Sequence, residues 1–188
     1  MLDTSIIIVY YQSFTFYDVS MKKQEFSSVR LISGKWRSRR VTFPVINQLR
    51  PTSDRVRETV FNWLGNLTPA ATCLDLFSGS GALGFEALSR GAAHVTFIDS
   101  SSDVISAIHA NAINLQTTDY TAHCLVILDS CFVPSCAPYD IVFLDPPFCQ
   151  GLLLPTLGWL QQNHFVTENT VIYFEVERAS TNLVIDSP

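Results

Sequence analysis

The stretch Leu74-Asp75-Leu76-Phe77-Ser78-Gly79-Ser80-Gly81 decides the fold. Together with Thr72 and Cys73 it gives one apolar strand that ends in a glycine-rich turn. A helix-forming segment then runs from Gly81 to Arg90 and is closed by Gly91. Strand, tight turn and helix in that order open a βα unit. In an open parallel sheet such turns lie at the carboxyl edge of the strands, where ligands bind. The pattern repeats downstream. His94 to Asp99 is a second strand, and Ser101 or Ser102 caps a helix reaching about Leu115, with Val104, Ile105, Ile108 and Ile113 facing inward. Cys124 to Leu128 reads as a third strand, Tyr139 to Asp145 as a fourth and Thr170 to Val176 as a fifth. Between the last two, Gly151 to Gln162 is helical in part, with Pro155 near its start. Continuous apolar strands alternating with helices predict an α/β domain with a mostly parallel sheet covered on both faces.

Upstream of the first unit, residues 29–50 read as a basic, strand-like segment. A helix follows from about Ser53 to Leu64, with Thr52 or Ser53 as its cap and Gly65 at its end. Val56, Val60, Phe61 and Leu64 share one face of it. A chain of 188 residues suits one domain, placed at 29–188, with 29–57 as its basic segment. Residues 1–28 are expected to be an N-terminal extension. The apolar runs at Ile6 and Phe14 are too broken for a membrane span or a signal peptide, and Met21 before Lys22 and Lys23 makes a more natural start. No membrane partner is expected, and the chain is expected to be a monomer.

The net charge of −5 argues at first against a nucleic-acid partner, but its distribution argues the other way. Residues 1–57 hold ten positive and four negative charges, a net +6, whereas residues 58–188 hold two positive and thirteen negative, a net −11. Lys35, Arg37, Arg39, Arg40, Arg50 and Arg55 are the candidate phosphate contacts. A merely solvated basic face is the plainer alternative. Five cysteines (Cys73, Cys124, Cys131, Cys136 and Cys149) form no CxxC pair and no metal spacing with the histidines, so no metal is expected. They read as reduced, buried thiols of a cytoplasmic protein.

Four features carry chemistry. Asp75 at the strand end would repel a phosphate and suits the ammonium of an amino-acid moiety; a tight structural turn is the alternative. Asp99 ends the next strand, where a carboxylate can accept both ribose hydroxyls or cap the following helix. Asp129 and Ser130 follow the third strand, where an adenine amine could be read or a turn simply made. The most specific feature is Asp145-Pro146-Pro147-Phe148 at the end of the fourth strand. Two prolines fix the backbone there. Asp145 and the Pro146 carbonyl could accept the two hydrogens of an exocyclic NH2 while Phe148 stacks on its base.

Together with Asp75 to Gly84, Gly84 to Ala92, Gly34 to Arg37 and the run from Arg50 to Trp63, this tetrapeptide resembles the RsmD family of bacterial methyltransferases, from about Val29 to Glu177. The resemblance implies a Rossmann-like methyltransferase of class I acting on the N2 amine of a guanine in the ribosomal RNA of an assembled or assembling small subunit. It implies that S-adenosylmethionine is held at Asp75, Phe77, Ser78, Gly79, Ser80 and Gly81, at Asp99 and Ser100, and at Asp129 and Ser130, with Thr52 approaching it. Asp145, Pro146, Pro147 and Phe148 would hold the target base. Two departures stand out. Position 99 is Asp where relatives usually carry Glu, and the antiparallel strands that end the family fold are expected to be missing, with only Asn182 to Ile185 to begin them, which would leave a bare sheet edge. Three alternatives stay open: methylation of an adenine or cytosine amine in RNA or DNA, a catalytically silent RNA-binding assembly factor, and a nicotinamide oxidoreductase. Gly79-x-Gly81-x-x-Gly84 fits the last, and only the proline tetrapeptide disfavours it.

Overall fold

The computed structural model describes residues 6–11, 25–45, 52–129, 138–147 and 150–177. In chain order the elements are β1 (Ile6–Tyr11), β2 (Phe26–Arg30), β3 (Arg40–Pro44), α1 (Asp54–Leu64), β4 (Thr72–Leu76), α2 (Ala82–Ser89), β5 (His94–Asp99), α3 (Ser102–Leu115), β6 (Tyr120–Cys124), β7 (Ile141–Leu144), α4 (Leu153–Gln162) and β8 (Val171–Glu177). Six strands form one sheet in the order β1-β8-β7-β4-β5-β6, every neighbouring pair parallel. From β4 the chain winds outward through β5 to β6, then returns to the other side of β4 for β7 and β8. The order therefore reverses between β4 and β7, and that is where such a sheet opens a crevice for a ligand.

Alternation along the strands splits the core in two. Cys73, Val95, Phe97, Ile141, Phe143, Val171 and Tyr173 face α1, α2 and α3. Leu74, Leu76, Ile98, Val142, Leu144, Ile172 and Phe174 face the other way, where Leu160 of α4 packs. The same alternation puts Asp75, Asp145 and Glu175 on the first of these faces. Ser53 caps α1 by accepting from the Val56 amide, and Ser101 caps α3 by accepting from Val104. Among the described residues no helix is long and apolar enough to cross a membrane.

The structure corrects several expectations. The third strand is Tyr120–Cys124, not Cys124 to Leu128. Gln116 ends α3 in a left-handed conformation, and the Val95 amide donates to the Asp119 carbonyl. A connection that short pairs the chain with β5 four residues early. The more apolar stretch then leaves the sheet and contributes Ile127 to the second core. Cys124 is consequently exposed, while Cys73 is fully buried and its thiol pushed up by that burial. Cys131, Cys136 and Cys149 lie outside the described residues. Ile113 is 75% exposed, not inward. It sits nine residues after Val104, about two and a half turns, and so on the opposite face of α3. The expected bare edge is also corrected. Residues 6–11, inside the stretch read as an extension, pair with the outer side of β8 from Ile6↔Ile172 to Tyr11↔Glu177. Asn182 to Ile185 lie outside the described residues.

The basic segment forms a hairpin, β2 against β3, that packs outside α2 and α3 as a third layer. Val29, Leu31, Trp36, Val41 and Phe43 bury its inner side. Two polar devices fix it. Asn111 on α3 accepts from the Thr42 amide at 2.9 Å and donates to the Thr42 carbonyl at 2.7 Å, as a neighbouring strand would. Glu86 on α2, with no exposed surface, accepts from the Ile32 and Ser33 amides at 2.8 and 3.0 Å. It also accepts from Arg90 at 2.8 Å and Arg57 at 3.4 Å. Arg57, equally buried, donates onward to the carbonyls of Arg30 (2.7 Å) and Thr52 (3.2 Å) and to Asp54 (2.6 Å).

Removing one partner of a buried pair leaves the other charge uncompensated, at about 3–5 kcal/mol. Glu86→Ala should therefore lower the free energy of unfolding by about that amount in a urea titration, and it should expose the hairpin to proteolysis first. An unchanged urea midpoint would show that the pair does not hold the hairpin.

Candidate active site

The turn after β4 is built for close approach. Phe77 has φ 58°, a left-handed conformation that a bulky side chain rarely adopts, and Gly79 and Gly81 follow at φ 50° and 68°. The loop is stitched to β5 by Ser78, whose hydroxyl donates to the Asp75 carbonyl at 2.7 Å and accepts from the Ile98 amide at 3.0 Å. The Ser80 hydroxyl accepts from the Ala82 amide. The Ser78 hydroxyl is thus engaged on both sides by the backbone, whereas the Ser80 hydroxyl, an acceptor here, keeps its own proton to donate. Gly84 serves packing. A Cβ there would lie 2.3 Å from the Phe97 ring and 2.9 Å from the Asp75 carboxylate. Only glycine lets the start of α2 sit so close to β4 and β5, and the Gly84 amide then donates to Asp75 at 2.9 Å.

Asp99 holds the turn from the second strand. One of its oxygens accepts from the Gly79 amide at 2.9 Å, the other from the Ser101 amide at 2.8 Å. It is half-buried, and Ser100 beside it is exposed. The predicted helix-cap alternative is filled by Ser101, not Asp99. Asp129 closes a short 3-10 helix, Ile127–Asp129, beyond β6. Ser130 and Phe148 lie outside the described residues, as does Arg50.

Across the switch point, β7 is buried along its whole length and stops at Asp145, with Pro146 buried and Pro147 exposed. Pro147 has no N–H, so the Pro146 carbonyl faces no donor from the next residue. Asp145 keeps a solvent-facing edge although protein surrounds most of it, and its carboxyl makes no hydrogen bond among the described residues.

Two residues that the motifs did not single out complete the site. Leu144 pairs with Phe174, so Asp145 and Glu175, one step further along each strand, lie side by side on one face. Glu175 is 6% exposed. It accepts a 2.6 Å hydrogen bond from the Tyr173 hydroxyl and another from the Thr52 hydroxyl. A partial signal was present, because Tyr173, Glu175 and Glu177 are polar-tipped residues at alternate positions of β8, though their neighbours across the sheet are set by register.

The electrostatics follow from this crowding. Burial lifts the Asp75 carboxyl to about 8, with Asp99 adding to the rise against the Gly84 amide. Burial lifts Asp145 well above the usual range, and the charges of Glu175 and then Asp75 add to it. Glu175 is raised by burial despite its two hydroxyl donors. The chief charges acting on these acids are one another's. A cation would relieve them, so the donor set fits a ligand carrying an ammonium or another positive centre and does not fit a phosphate. Among the described residues no group of three or more His, Cys, Asp or Glu could hold a metal ion. A shallow recess lined by Pro69, Asp140, Ile141 and Val171 opens at the opposite, amino-terminal edge of the sheet.

Of the predicted phosphate contacts, Lys35 lies over the Trp36 ring at 4.3 Å and pairs with Asp119 at 3.8 Å. Arg39 donates to the Asn114 carbonyl and Arg40 to Ser28. Arg37 and Arg55 are exposed, and their side chains make no hydrogen bond or ion pair among the described residues.

The family model described as conserved hypothetical protein 95 matches residues 29–186. The ribosomal RNA small subunit methyltransferase D of Escherichia coli strain K12 is 42% identical over 163 residues, 84% of this chain and 80% of that protein. The enzyme of the same description from Haemophilus influenzae is 43% identical over 155 residues, 80% and 79% of the two chains. The solved structure of the Escherichia coli methyltransferase yhhF superposes with a TM-score of 0.70 at 41% identity, covering 79% of this chain and 80% of that one. With its parallel sheet, its glycine-rich turn after β4 and the Asp145-Pro146-Pro147 end of β7, the chain belongs to the conserved hypothetical protein 95 family, the RsmD family of methyltransferases with a Rossmann-like fold.

Proposed function

We propose that this protein uses S-adenosylmethionine to methylate the exocyclic N2 amine of a guanine in small-subunit ribosomal RNA, acting in the cytoplasm as a monomer on the subunit or its assembly intermediates. The observation that carries this reading is the juxtaposition, at one switch point, of the glycine-rich turn bounded by Asp75 and Asp99 with the Asp145-Pro146 end of β7. The relatives named for small-subunit ribosomal RNA support the substrate.

S-adenosylmethionine, when bound, supplies an electrophilic methyl on a sulfonium together with an amino-acid ammonium. Asp75 would hold the ammonium, the open backbone of Phe77, Gly79 and Gly81 would admit the chain behind it, and Asp99 would take the ribose hydroxyls. Thr52 and Ser100 would border this space, and Asp129 and Ser130 would read the adenine. The base amine is a weak nucleophile because its lone pair is delocalised into the ring. Asp145 and the Pro146 carbonyl accept its two hydrogens and turn the lone pair toward the methyl, with Phe148 stacked on the base. Such positioning is worth up to roughly 7–11 kcal/mol in well-oriented systems. Extruding the base costs a few kcal/mol, least where it is unpaired. Lys35, Arg37, Arg39, Arg40, Arg50 and Arg55 hold phosphates and set the register of the RNA without reading its sequence.

Transfer of labelled methyl to small subunits from cells lacking the modification tests the reaction. Asp145→Ala should cut transfer by about a hundredfold or more while the cofactor still binds. Normal methylation by that variant, or label entering DNA and not the subunit, would sink the reading.

The raised Asp75 carboxyl sets a pH dependence. Its value in the folded protein, about 8, lies above the value of an unfolded chain, so the stability it contributes is present in acid and lost as pH rises toward and through 8. An ammonium prefers the ionised form, so cofactor affinity should rise over the same window and binding should release protons. Calorimetry between pH 6 and 9 checks this, and flat affinity would contradict it.

Salt dependence tests the hairpin. Arg37→Gln should reduce the slope of log affinity against log salt by about 0.7, the share of one single-stranded phosphate contact. An unaltered slope would place the RNA elsewhere.

A further inference from the structure

Asp145 and Glu175 are neighbours on adjacent strands and face the same side of the sheet. Glu175 is nearly enclosed, and two hydroxyls, from Tyr173 within its own strand and from Thr52 just before α1, both donate to it. Among the described residues Asp145 has no such donor, and it is less enclosed than Glu175. Asp75 on β4 is the third carboxylate on this face, and β1 meets Glu175 through the backbone pairing Val9↔Glu175. Hydrogen bonds from two hydroxyls favour the charged form of the carboxylate that accepts them. Two adjacent carboxylates in a low-dielectric setting do not both ionise readily, so the charge settles on Glu175 and the proton on Asp145.

We propose that Glu175 is a positioning residue that keeps Asp145 protonated in the free protein, so that Asp145 becomes an ionised acceptor for the substrate amine only when a sulfonium cation is bound beside it. This rests on the function proposed above. Asp145 can hold the amine only at about 2.7–3.2 Å, and in-line attack places that amine about 3–3.5 Å from the methyl carbon. A bound sulfonium would therefore lie within a few ångströms of Asp145. Beside it Asp145 would ionise, its proton passing to solvent, because that charge would offset the charge of Glu175.

The charges then balance through the step. The amine lone pair forms the new N–C bond. The C–S bond breaks with its electron pair going to sulfur, which becomes a neutral thioether. The methylated nitrogen, briefly cationic, gives one proton to Asp145. Before transfer the site holds a sulfonium and an ionised Asp145; afterwards it holds a thioether and a neutral Asp145. The base amine is gripped when the methyl donor is present and loses its charged acceptor once the methyl has gone. Cofactor binding before RNA, and weak retention of the methylated base, both follow.

The raised carboxyls of Asp145 and Glu175 agree with a shared proton. The test separates Asp145 from Asp75, because S-adenosylmethionine and S-adenosylhomocysteine carry the same ammonium and differ in the charge on sulfur. Proton release on binding each to the full chain is read by calorimetry near neutral pH, in buffers of different ionisation heat. The wild type should release about half a proton or more in excess with the sulfonium ligand. Glu175→Gln, which takes the neighbouring charge away from Asp145, should release less excess, and its transfer activity should persist to lower pH than that of the wild type. A residue that only held the fold together would lower activity at every pH without moving the profile. If Glu175→Gln does not fold, Tyr173→Phe, which removes one donor from Glu175, should reduce the excess. Equal release by the two ligands in the wild type, or a full excess in the variants, would overturn the proposal. Should that happen while Asp145→Ala remains inactive, only this inference falls; full activity of Asp145→Ala removes the reading beneath it.

Discussion

The pair Arg57–Glu86 is the contact on which the rest of the structure depends. Both side chains are fully buried, which would be expensive without partners. Here neither is left short. Glu86 takes two hairpin amides and two arginines, and Arg57 supplies the carbonyls of Arg30 and Thr52 as well as Asp54. One ionic cluster thus joins the hairpin, α1 and α2. It also reaches the site: Arg57 holds the Thr52 backbone, and the Thr52 hydroxyl bonds Glu175 next to Asp145. The segment that carries the positive charge is tied by a short series of polar contacts to the segment that would do the chemistry.

The carboxyl edge of the sheet has the opposite character. Three acids share one face there, and each is pushed toward its neutral form chiefly by burial. Such an arrangement weakens the free protein. Like charges in a low-dielectric crevice are tolerated when a ligand brings the missing cation. The strained turn at Phe77 belongs to the same account, since a left-handed bulky residue is kept where the backbone must open toward a ligand.

Much of this was legible in the sequence because the deciding features are local. A strand, a glycine-rich turn and a helix must occur in that order to make a βα unit, and Asp145-Pro146-Pro147 cannot continue a strand. The errors came where tertiary contacts override local pattern. Cys124 to Leu128 is more apolar than Tyr120 to Cys124, yet the short turn after α3 sets the pairing with β5. Ile113 is apolar by type, yet its helical phase puts it in solvent. Arg57 occupies the apolar stripe of α1 with Val60, Phe61 and Leu64, a position from which a charged residue's burial could have been inferred. Glu175 was hidden because its meaning depends on the strand beside it. Register with β7 is a property of the sheet and not of the segment.

The charge map explains how an acidic protein can serve an anionic substrate. Arg37, Arg39, Arg40 and Arg55 lie exposed on the hairpin and α1, outside the core, while the acids converge in the crevice. A polyanion attracted to the outer layer need not enter that crevice. Only an extruded base would, and a base is neutral. Its amine presents hydrogens that an acceptor-lined pocket can take, whereas a phosphate presents only oxygens. On the proposed function the two regions would select different parts of one molecule, the backbone by cations that are indifferent to sequence and the base by acceptors that exclude the backbone. The net charge of the chain, −5, averages over these two regions and describes neither.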